Sequence, residues 1–243
     1  MEYFYSGVLL LNLLAALMVF ARPKLYKTRL YRPMVKNIFL SVLPVVVLAV
    51  TFMASINIAY RGYQTGQRAW VYVGFACGLL GLAVWLLLLP NAGYLITELN
   101  LNHRTRDKAE VPLWYDIISV LTLSMSGVVN TLMNVMLVQM LYIGLFYPTT
   151  LSEVRFSTHP ILWLMMICIF VLVSFGIYIG RYIRFNSWDV LNPLRMLRKF
   201  VHHAKEPGAV KNMLLFTLFY TLFFFVLYLV VVVPLFEGYL VWL

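Results

Sequence analysis

The sequence has little charge and almost no cysteine, and both shortages restrict what the chain can be. Only 12% of its 243 residues are Asp, Glu, Lys or Arg, whereas 63% are hydrophobic. A soluble domain of this length carries about a quarter charged residues, because polar side chains must cover its core. The mean hydropathy of +0.86 therefore excludes an ordinary globular protein and indicates an integral membrane protein.

The two cysteines, Cys77 and Cys168, each lie inside a long apolar stretch. A lone cysteine in an apolar helix usually packs as a small hydrophobic residue. The four histidines form no His-x-x-x-His pair with a glutamate, which is the pattern typical of a zinc site on a helix. The sequence also has no P-loop, so we expect neither a metal nor a cofactor.

Six apolar stretches are long enough to cross a bilayer, which takes about 20 helical residues. Backbone groups in hydrocarbon must be bonded within the segment, and these stretches lack the alternation of barrel strands, so we expect α-helices. The chain is predicted to be one all-α transmembrane domain over residues 1–243, without linkers or repeats. The predicted spans are residues 4–20, 38–60, 69–96, 117–147, 161–180 and 212–236.

Lysine and arginine are distributed very unevenly between alternate loops. Of the 19 basic residues, 16 lie in one set of loops, and only Arg61, Arg68 and Arg155 lie in the other. Because basic loops stay in the cytoplasm, we expect a multi-pass protein of the plasma membrane with both termini outside the cytoplasm. Glu2 is the only charge before the first span, and this order disfavours a cleaved signal peptide.

A short helix is predicted at about residues 193–205, in the last basic loop. Asn192 and Pro193 are typical of a helix start, and Pro207 with Gly208 is typical of an end. At about 100° per residue, the apolar side chains fill one arc of this helix and the basic side chains fill the other. This pattern indicates an amphipathic helix that lies in the interface, among anionic headgroups. Docking of a partner or of a lipid substrate is the alternative.

Three polar clusters lie at the ends of spans on the basic side. Residues 89–98 (LPNAGYLITE) predict a break in the third span, either a re-entrant or site-forming segment or a helix end at the interface. Residues 111–116 (VPLWYD) open the fourth span and place Asp116 at a helix N-terminus, where an acid is favoured. Residues 176–189 (GIYIGRYIRFNSWD) place Arg181 and Arg184 on one helix face.

We expect these clusters to meet on the cytoplasmic side, in one ligand-binding or ion-pair site. The two arginines suit three roles: a clamp for a phosphate or carboxylate, partners for Glu98 and Asp116, or anchors at the interface. No catalytic residue is assigned. The candidate site residues are Asn91, Glu98, Asp116, Arg181, Arg184, Asn186 and Asp189.

The fourth span is also rich in polar side chains. It contains Ser124, Ser126, Asn130, Asn134 and Gln139. Residues of this type inside a membrane helix commonly form hydrogen bonds to neighbouring helices. We therefore predict an interhelical role for them rather than a nucleophilic site.

The motifs within residues 89–98, 112–116 and 176–189 resemble an uncharacterised bacterial multi-pass membrane family, domain of unknown function 1361. Their order and relative spacing match over about residues 36–233. The chain departs from the family pattern at Glu98, where Asp is usual, and at Phe185, near which the family has Trp. The family's histidine after the acid has only a displaced counterpart in His103. The resemblance implies a membrane protein and supplies no activity.

A binding or scaffold role, as an accessory subunit, is the function that these observations favour. The expected partners are the bilayer, its anionic headgroups and another membrane protein, and we expect no nucleic acid. An enzyme that acts on a lipid headgroup is the first alternative, although no nucleophile or metal is evident. A small-solute permease is the second, although only one broken helix is visible where paired breaks are typical.

Overall fold

The computed structural model describes residues 2–100, 111–147, 154–156, 158–183 and 192–241. A 3₁₀ helix, Leu95–Asn100, follows α4, and a π-helical turn, Ile179–Ile183, follows α6. These described parts contain helices and turns but no strand. The helices are α1 (Glu2–Tyr26), α2 (Arg32–Gln64), α3 (Arg68–Leu88), α4 (Pro90–Tyr94), α5 (Leu113–Phe146), α6 (Pro160–Tyr178), α7 (Pro193–Ala204) and α8 (Ala209–Val241).

Six helical segments of the described chain are long and apolar enough to cross a membrane, so the protein is an all-α multi-pass membrane protein. Each predicted span lies inside one of these segments to within one residue. The helices exceed the apolar stretches because helical hydrogen bonding continues into the polar residues beyond the hydrocarbon. The six segments are Glu2–Tyr26, Arg32–Gln64, Arg68–Leu99, Leu113–Phe146, Pro160–Ile183 and Ala209–Gly238.

Proline and glycine mark the boundaries of the helices. Proline occupies the first turn of α2, α4, α6 and α7. The N–H groups of a first turn have no acceptor within the helix, so the N–H that proline lacks is not needed there. Gly66 and Gly208 have φ angles of 68° and 77°, which glycine adopts without steric cost. They form the short turns that lead into α3 and α8.

Helix α5 lies at the centre of the bundle, and most of its residues are buried. Asn130 and Asn12 of α1 exchange two amide hydrogen bonds of 2.8 and 2.9 Å, and Asn130 also donates to Ser41 of α2 at 2.9 Å. Asn134 accepts a 2.9 Å bond from the indole N–H of Trp85 in α3. We call these five residues the polar hub.

Two further bonds join α5 to the remaining spans. The amide of Gln139 donates to the carbonyl of Leu162 in α6 at 2.8 Å and accepts the hydroxyl proton of Tyr228 in α8. The polar side chains of α5 therefore reach all five other spanning segments. The predicted interhelical role is confirmed for Ser124, Asn130, Asn134 and Gln139, whereas Ser126 bonds within its own helix.

Helices α2 and α3 form a hairpin that is held together by glycine. A Cβ atom on Gly74 would come within 2.8 Å of the α2 backbone, and one on Gly81 would come within 2.4 Å of the Thr51 side chain. The hydroxyl of Ser55 also donates to the Gly74 carbonyl at 2.7 Å. Small residues thus let the two backbones approach closely, as is common between membrane helices.

Aromatic packing joins α6 to α8 near the middle of both helices, and it joins the segment before α6 to α8 at the end of the bundle opposite the basic loops. Phe170 stacks on Phe224 with ring centroids 5.6 Å apart, and Phe156 packs edge-on against Phe236 at 5.0 Å. Glu237 accepts the backbone N–H of Phe156 at 2.9 Å and pairs with Arg155 at 3.3 Å. These contacts fix the segment before α6 against the end of α8.

Candidate functional site

The candidate site lies at the end of the bundle where α1 and α6 end and α2, α5 and α8 begin. The basic residues of the sequence are concentrated there, so we call it the basic end. Residues 90–98 approach it from α3. The chain stays helical through Leu89 and Leu95, whose backbone angles are those of a right-handed helix. The predicted break is therefore a change from α to 3₁₀ geometry, without a reversal of the chain.

The first and third sequence motifs interlock at this break. A Cβ atom on Gly176 would lie 2.4 Å from the ring of Pro90, and one on Gly93 would lie 2.8 Å from Ile177. A Cβ atom on Gly180 would lie 3.5 Å from the ring of Tyr94, which is an ordinary contact distance. The glycines of α6 thus leave the space in which α4 packs, and this packing brings Glu98 toward the end of α6.

Glu98 is buried at the basic end, with 7% of its surface exposed. Its carboxylate accepts a 2.9 Å hydrogen bond from the side-chain amide of Asn37 in α2. Arg181 lies within electrostatic range of the same carboxylate and is half-buried. Glu98 and Arg181 therefore lie near each other, and Asn37 is a further member of this cluster that the three motifs do not contain.

Asp116 pairs with a residue that lies outside the three motifs. It is 1% exposed, and its carboxylate lies 3.1 Å from the guanidinium of Arg22 in α1. Arg22 also donates to the hydroxyl of Thr28 at 3.4 Å, and the neighbouring Tyr115 donates to the Met18 carbonyl at 2.8 Å. The second motif therefore attaches α5 to α1.

The other candidates have either a local role or no described position. Asn91 is half-buried and donates to the carbonyl of Leu88 at 2.9 Å, so its amide stabilises the junction between α3 and α4. The remaining three candidates lie outside the described residues. They are Arg184, Asn186 and Asp189.

A cavity of about 350 Å³ opens at the basic end, where α6, α7 and α8 meet. Sequence reasoning missed it, although it includes Tyr178 from the third motif. The one signal in the sequence is the spacing of His203 and Glu206, three residues apart at the end of a helix. The cavity is lined by Tyr178, Tyr182, His203, Glu206, Pro207, Ala209, Asn212 and Phe216.

Three titratable side chains in this cavity form a continuous hydrogen-bonded chain. The hydroxyl of Tyr178 lies 3.0 Å from Nε2 of His203, and Nδ1 of His203 lies 3.0 Å from a carboxylate oxygen of Glu206. The chain joins α6 to the last turn of α7 and to the turn before α8. We call it the Tyr–His–Glu chain.

Helix α7 forms where the sequence predicts the amphipathic helix, and several of its apolar side chains are exposed. Leu194 is 75% exposed and Leu197 is 57% exposed. The rings of Phe200 and of Phe175 on α6 pack together with centroids 6.3 Å apart, and His203 lines the cavity. These contacts attach the second half of α7 to the bundle.

Within the described residues, no group of three or more His, Cys, Asp or Glu side chains is arranged to hold a metal ion. The described cysteines are not joined in a disulfide.

The model of a family described as "Protein of unknown function (DUF1361)" matches residues 36–228. The chain belongs to this family. No curated protein and no solved structure matches the chain. The DUF1361 region contains Asn37, Glu98 and Arg181 as well as the whole Tyr–His–Glu chain. Arg22, the partner of Asp116, precedes it.

Proposed function

We propose that this DUF1361 protein is a binding subunit of the plasma membrane that engages phosphate-bearing lipid headgroups at its basic end, in the cytoplasmic leaflet. The observation that carries this proposal is the position of the cavity relative to α7. Leu194 and Leu197 of α7 are exposed, while His203 at the other end of the same helix lines the cavity. A helix with its apolar face among acyl chains places that cavity at headgroup depth.

The charge around the cavity supports an anionic group as the ligand. Arg181 directly precedes the lining residue Tyr182, and Lys211 directly precedes the lining residue Asn212. Each lysine or arginine near an anionic membrane surface contributes about 1 kcal/mol of attraction. A guanidinium also binds phosphate oxygens in a two-point geometry that an ammonium lacks.

The buried acids support binding rather than chemistry as the role of the first two motifs. Glu98 is bonded to Asn37, and Asp116 is paired with Arg22. Ionisable side chains at membrane depth are costly unless they have such partners. We infer that these two acids position the helices, and that Arg181 is the motif residue that faces the ligand.

The test is the thermal stability of the purified protein in detergent with added lipid. Phosphatidylglycerol should raise the Tm by about 2–4 °C, as expected for about 1 kcal/mol of preferential binding, and a neutral glycolipid should not. Arg181→Ala should abolish the shift. Arg61→Ala is the matched control, because Arg61 is exposed at the opposite end of the bundle, and it should retain the shift.

Two results of this experiment count against the proposal. Equal stabilisation by phosphatidylglycerol and the glycolipid would mean that the phosphate is not recognised. Loss of folded Arg181→Ala protein in every lipid, with recovery in Arg181→Lys, would identify Arg181 as a structural partner of Glu98.

An enzyme acting on a lipid headgroup is the second candidate, and the Tyr–His–Glu chain favours it. A hydroxyl, an imidazole and an orienting carboxylate in this order are the arrangement that activates a nucleophile in many enzymes. Release of a water-soluble headgroup from phospholipid vesicles by the purified protein, lost in Tyr178→Phe, would establish it. Absence of release at every pH tested would leave binding as the function.

A further inference from the structure

Glu98 and Asp116 are both buried at the basic end, but their partners differ in charge. Asp116 lies 3.1 Å from the guanidinium of Arg22, so a cation compensates its carboxylate. Glu98 accepts its hydrogen bond from the neutral amide of Asn37. Within the described residues, Glu98 forms no ion pair, and its other carboxyl oxygen accepts no hydrogen bond. The amide therefore supplies a hydrogen bond to Glu98 but no counter-charge.

The burial of Glu98 favours a neutral carboxyl group. Only 7% of its surface is exposed, and it lies one residue from the end of a membrane-spanning segment. Transfer of an isolated carboxylate out of water is so unfavourable that the group usually takes up a proton instead. A protonated carboxyl group still accepts the amide hydrogen bond of Asn37 through its carbonyl oxygen.

The backbone that carries Glu98 is fixed by hydroxyl groups from two other spans. The hydroxyl of Ser41 in α2 donates to the Ala92 carbonyl at 3.5 Å, and the hydroxyl of Ser124 in α5 donates to the Leu95 carbonyl at 3.2 Å. Backbone that departs from α geometry at membrane depth needs such partners within the protein. The side chains that bond this segment from α2 and α5 are all neutral, so they provide no counter-charge either.

Arg181 is the cation whose charge acts on Glu98, and it lies on the π-helical turn after α6. Its charge also acts on Tyr220 of α8, so Arg181 lies between the 3₁₀ break and α8. An ionised Glu98 would offset the positive charge that Arg181 presents to an anion. A protonated Glu98 leaves that charge available.

We propose that Glu98 is a proton-binding site, and that its proton is linked to the binding of an anion at Arg181. The inference rests on the proposed function and states how that site is regulated. Because linkage is reciprocal, an anion at Arg181 favours the uptake of a proton by Glu98 from the cytoplasmic solution, and the proton favours the anion. Loss of the proton as the pH rises draws Arg181 toward the carboxylate and weakens the anion site.

Infrared spectroscopy of the full chain in detergent tests the proton site directly. A protonated carboxyl group has a carbonyl band that is separate from the bands of a carboxylate. The wild-type protein at neutral pH should show this band, and Glu98→Gln should lack it. Glu2→Gln is the matched control, since Glu2 is an exposed acid at the opposite end of the bundle, and it should keep the band.

The linkage is tested by the phosphatidylglycerol concentration that gives half of the Tm shift, measured from about pH 5 to about pH 9. This concentration should rise with pH, toward a limit of about tenfold per pH unit for one linked proton. Glu98→Gln imitates the neutral acid, so it should bind at every pH as the wild type binds at low pH. Glu2→Gln should follow the wild type.

Failure of the inference differs from failure of the proposed function. Absence of the carboxyl band at neutral pH would overturn the proton site, as would a Glu98→Gln protein that does not fold, because glutamine keeps the shape of the neutral acid. Phosphatidylglycerol binding that is independent of pH, or whose pH dependence persists in Glu98→Gln, would overturn the linkage and leave phosphate recognition in place. Absence of phosphatidylglycerol stabilisation at every pH would overturn the proposed function and the linkage with it.

Discussion

Single charged residues at the basic end are held by partners from distant parts of the chain. Arg22 and Asp116 are separated by 94 residues, and Asn37 and Glu98 by 61. The sequence identifies both acids as candidates, because a carboxylate at the end of a span is costly without a partner. It does not identify the partners, since several cations and amides lie at the same predicted depth and only the packing of α1 and α2 selects among them.

Removal of Arg22 should destabilise the protein more than removal of the whole ion pair. Arg22→Leu removes the guanidinium that lies 3.1 Å from the buried Asp116 carboxylate, and removal of one partner of a buried ion pair costs about 3–5 kcal/mol. The double variant Arg22→Leu/Asp116→Leu should regain most of this loss. Unfolding by sodium dodecyl sulfate in mixed micelles measures both, with Arg29→Leu as the exposed control. Additive losses in the double variant would contradict a paired role.

Asn12 and Asn130 of the polar hub should show strong coupling. Asn130→Ala removes one hydrogen-bond partner of Asn12 and one of Ser41, and interhelical hydrogen bonds in membranes contribute about 0.6 kcal/mol on average and up to about 1.7 kcal/mol. A loss of about 1–2 kcal/mol is therefore expected. Because Asn12→Ala removes the same two bonds to Asn130, the double variant should lose less than the sum. A fully additive cycle in the same unfolding assay would show that the amides act independently.

At the level of whole helices, the α2–α3 hairpin depends on close backbone contact. Gly74 and Gly78 are four residues apart, and Gly81 follows on the same side of α3, so all three approach α2. The sequence contains this spacing but does not say which helix is approached. Lipid and protein surfaces are equally apolar in a membrane, and hydrophobicity alone therefore does not distinguish them.

Gly81→Ala should destabilise the hairpin. The added methyl group would lie 2.4 Å from the Thr51 Cβ atom, and overpacking of this kind costs about 1–3 kcal/mol. Gly144→Ala is the matched control in α5, because nothing lies within 4 Å of its Cβ position. That change should be neutral or stabilising by up to about 1 kcal/mol, as glycine is a poorer helix former than alanine. Equal effects of the two changes would refute close packing at Gly81.

The amphipathic helix is predictable from a local sequence pattern, whereas the cavity is not. Periodicity in residues 193–205 is a property of the helix itself, so α7 was predictable from sequence. The cavity requires α6, α7 and α8 to meet, and its residues come from positions 178 to 216. The periodicity of α7 does not predict the bond between His203 and Tyr178 of α6.

For the molecule as a whole, the uneven distribution of basic residues predicts one orientation in the membrane. Reporter domains inserted between residues 61 and 68, or between 147 and 159, should be located outside the cytoplasm. A reporter inserted near Lys27, in the turn between α1 and α2, should be located inside and serves as the internal comparison. Cytoplasmic location of both of the first two insertions would reverse the orientation and move the proposed site to the other leaflet.

The central position of α5 has a consequence for the biogenesis of the protein. It is the least hydropathic of the six spanning segments, since its asparagines, serines and glutamine face the other helices. Among the six spans, the transfer from the translocon into lipid alone is therefore least favourable in free energy for α5. Synthesis from the N-terminus places Asn12, Ser41 and Trp85 in the membrane first. Hydrogen-bonding partners for α5 are therefore present in the membrane when α5 leaves the translocon. The order of the spans along the chain thus favours the insertion of its least hydropathic span.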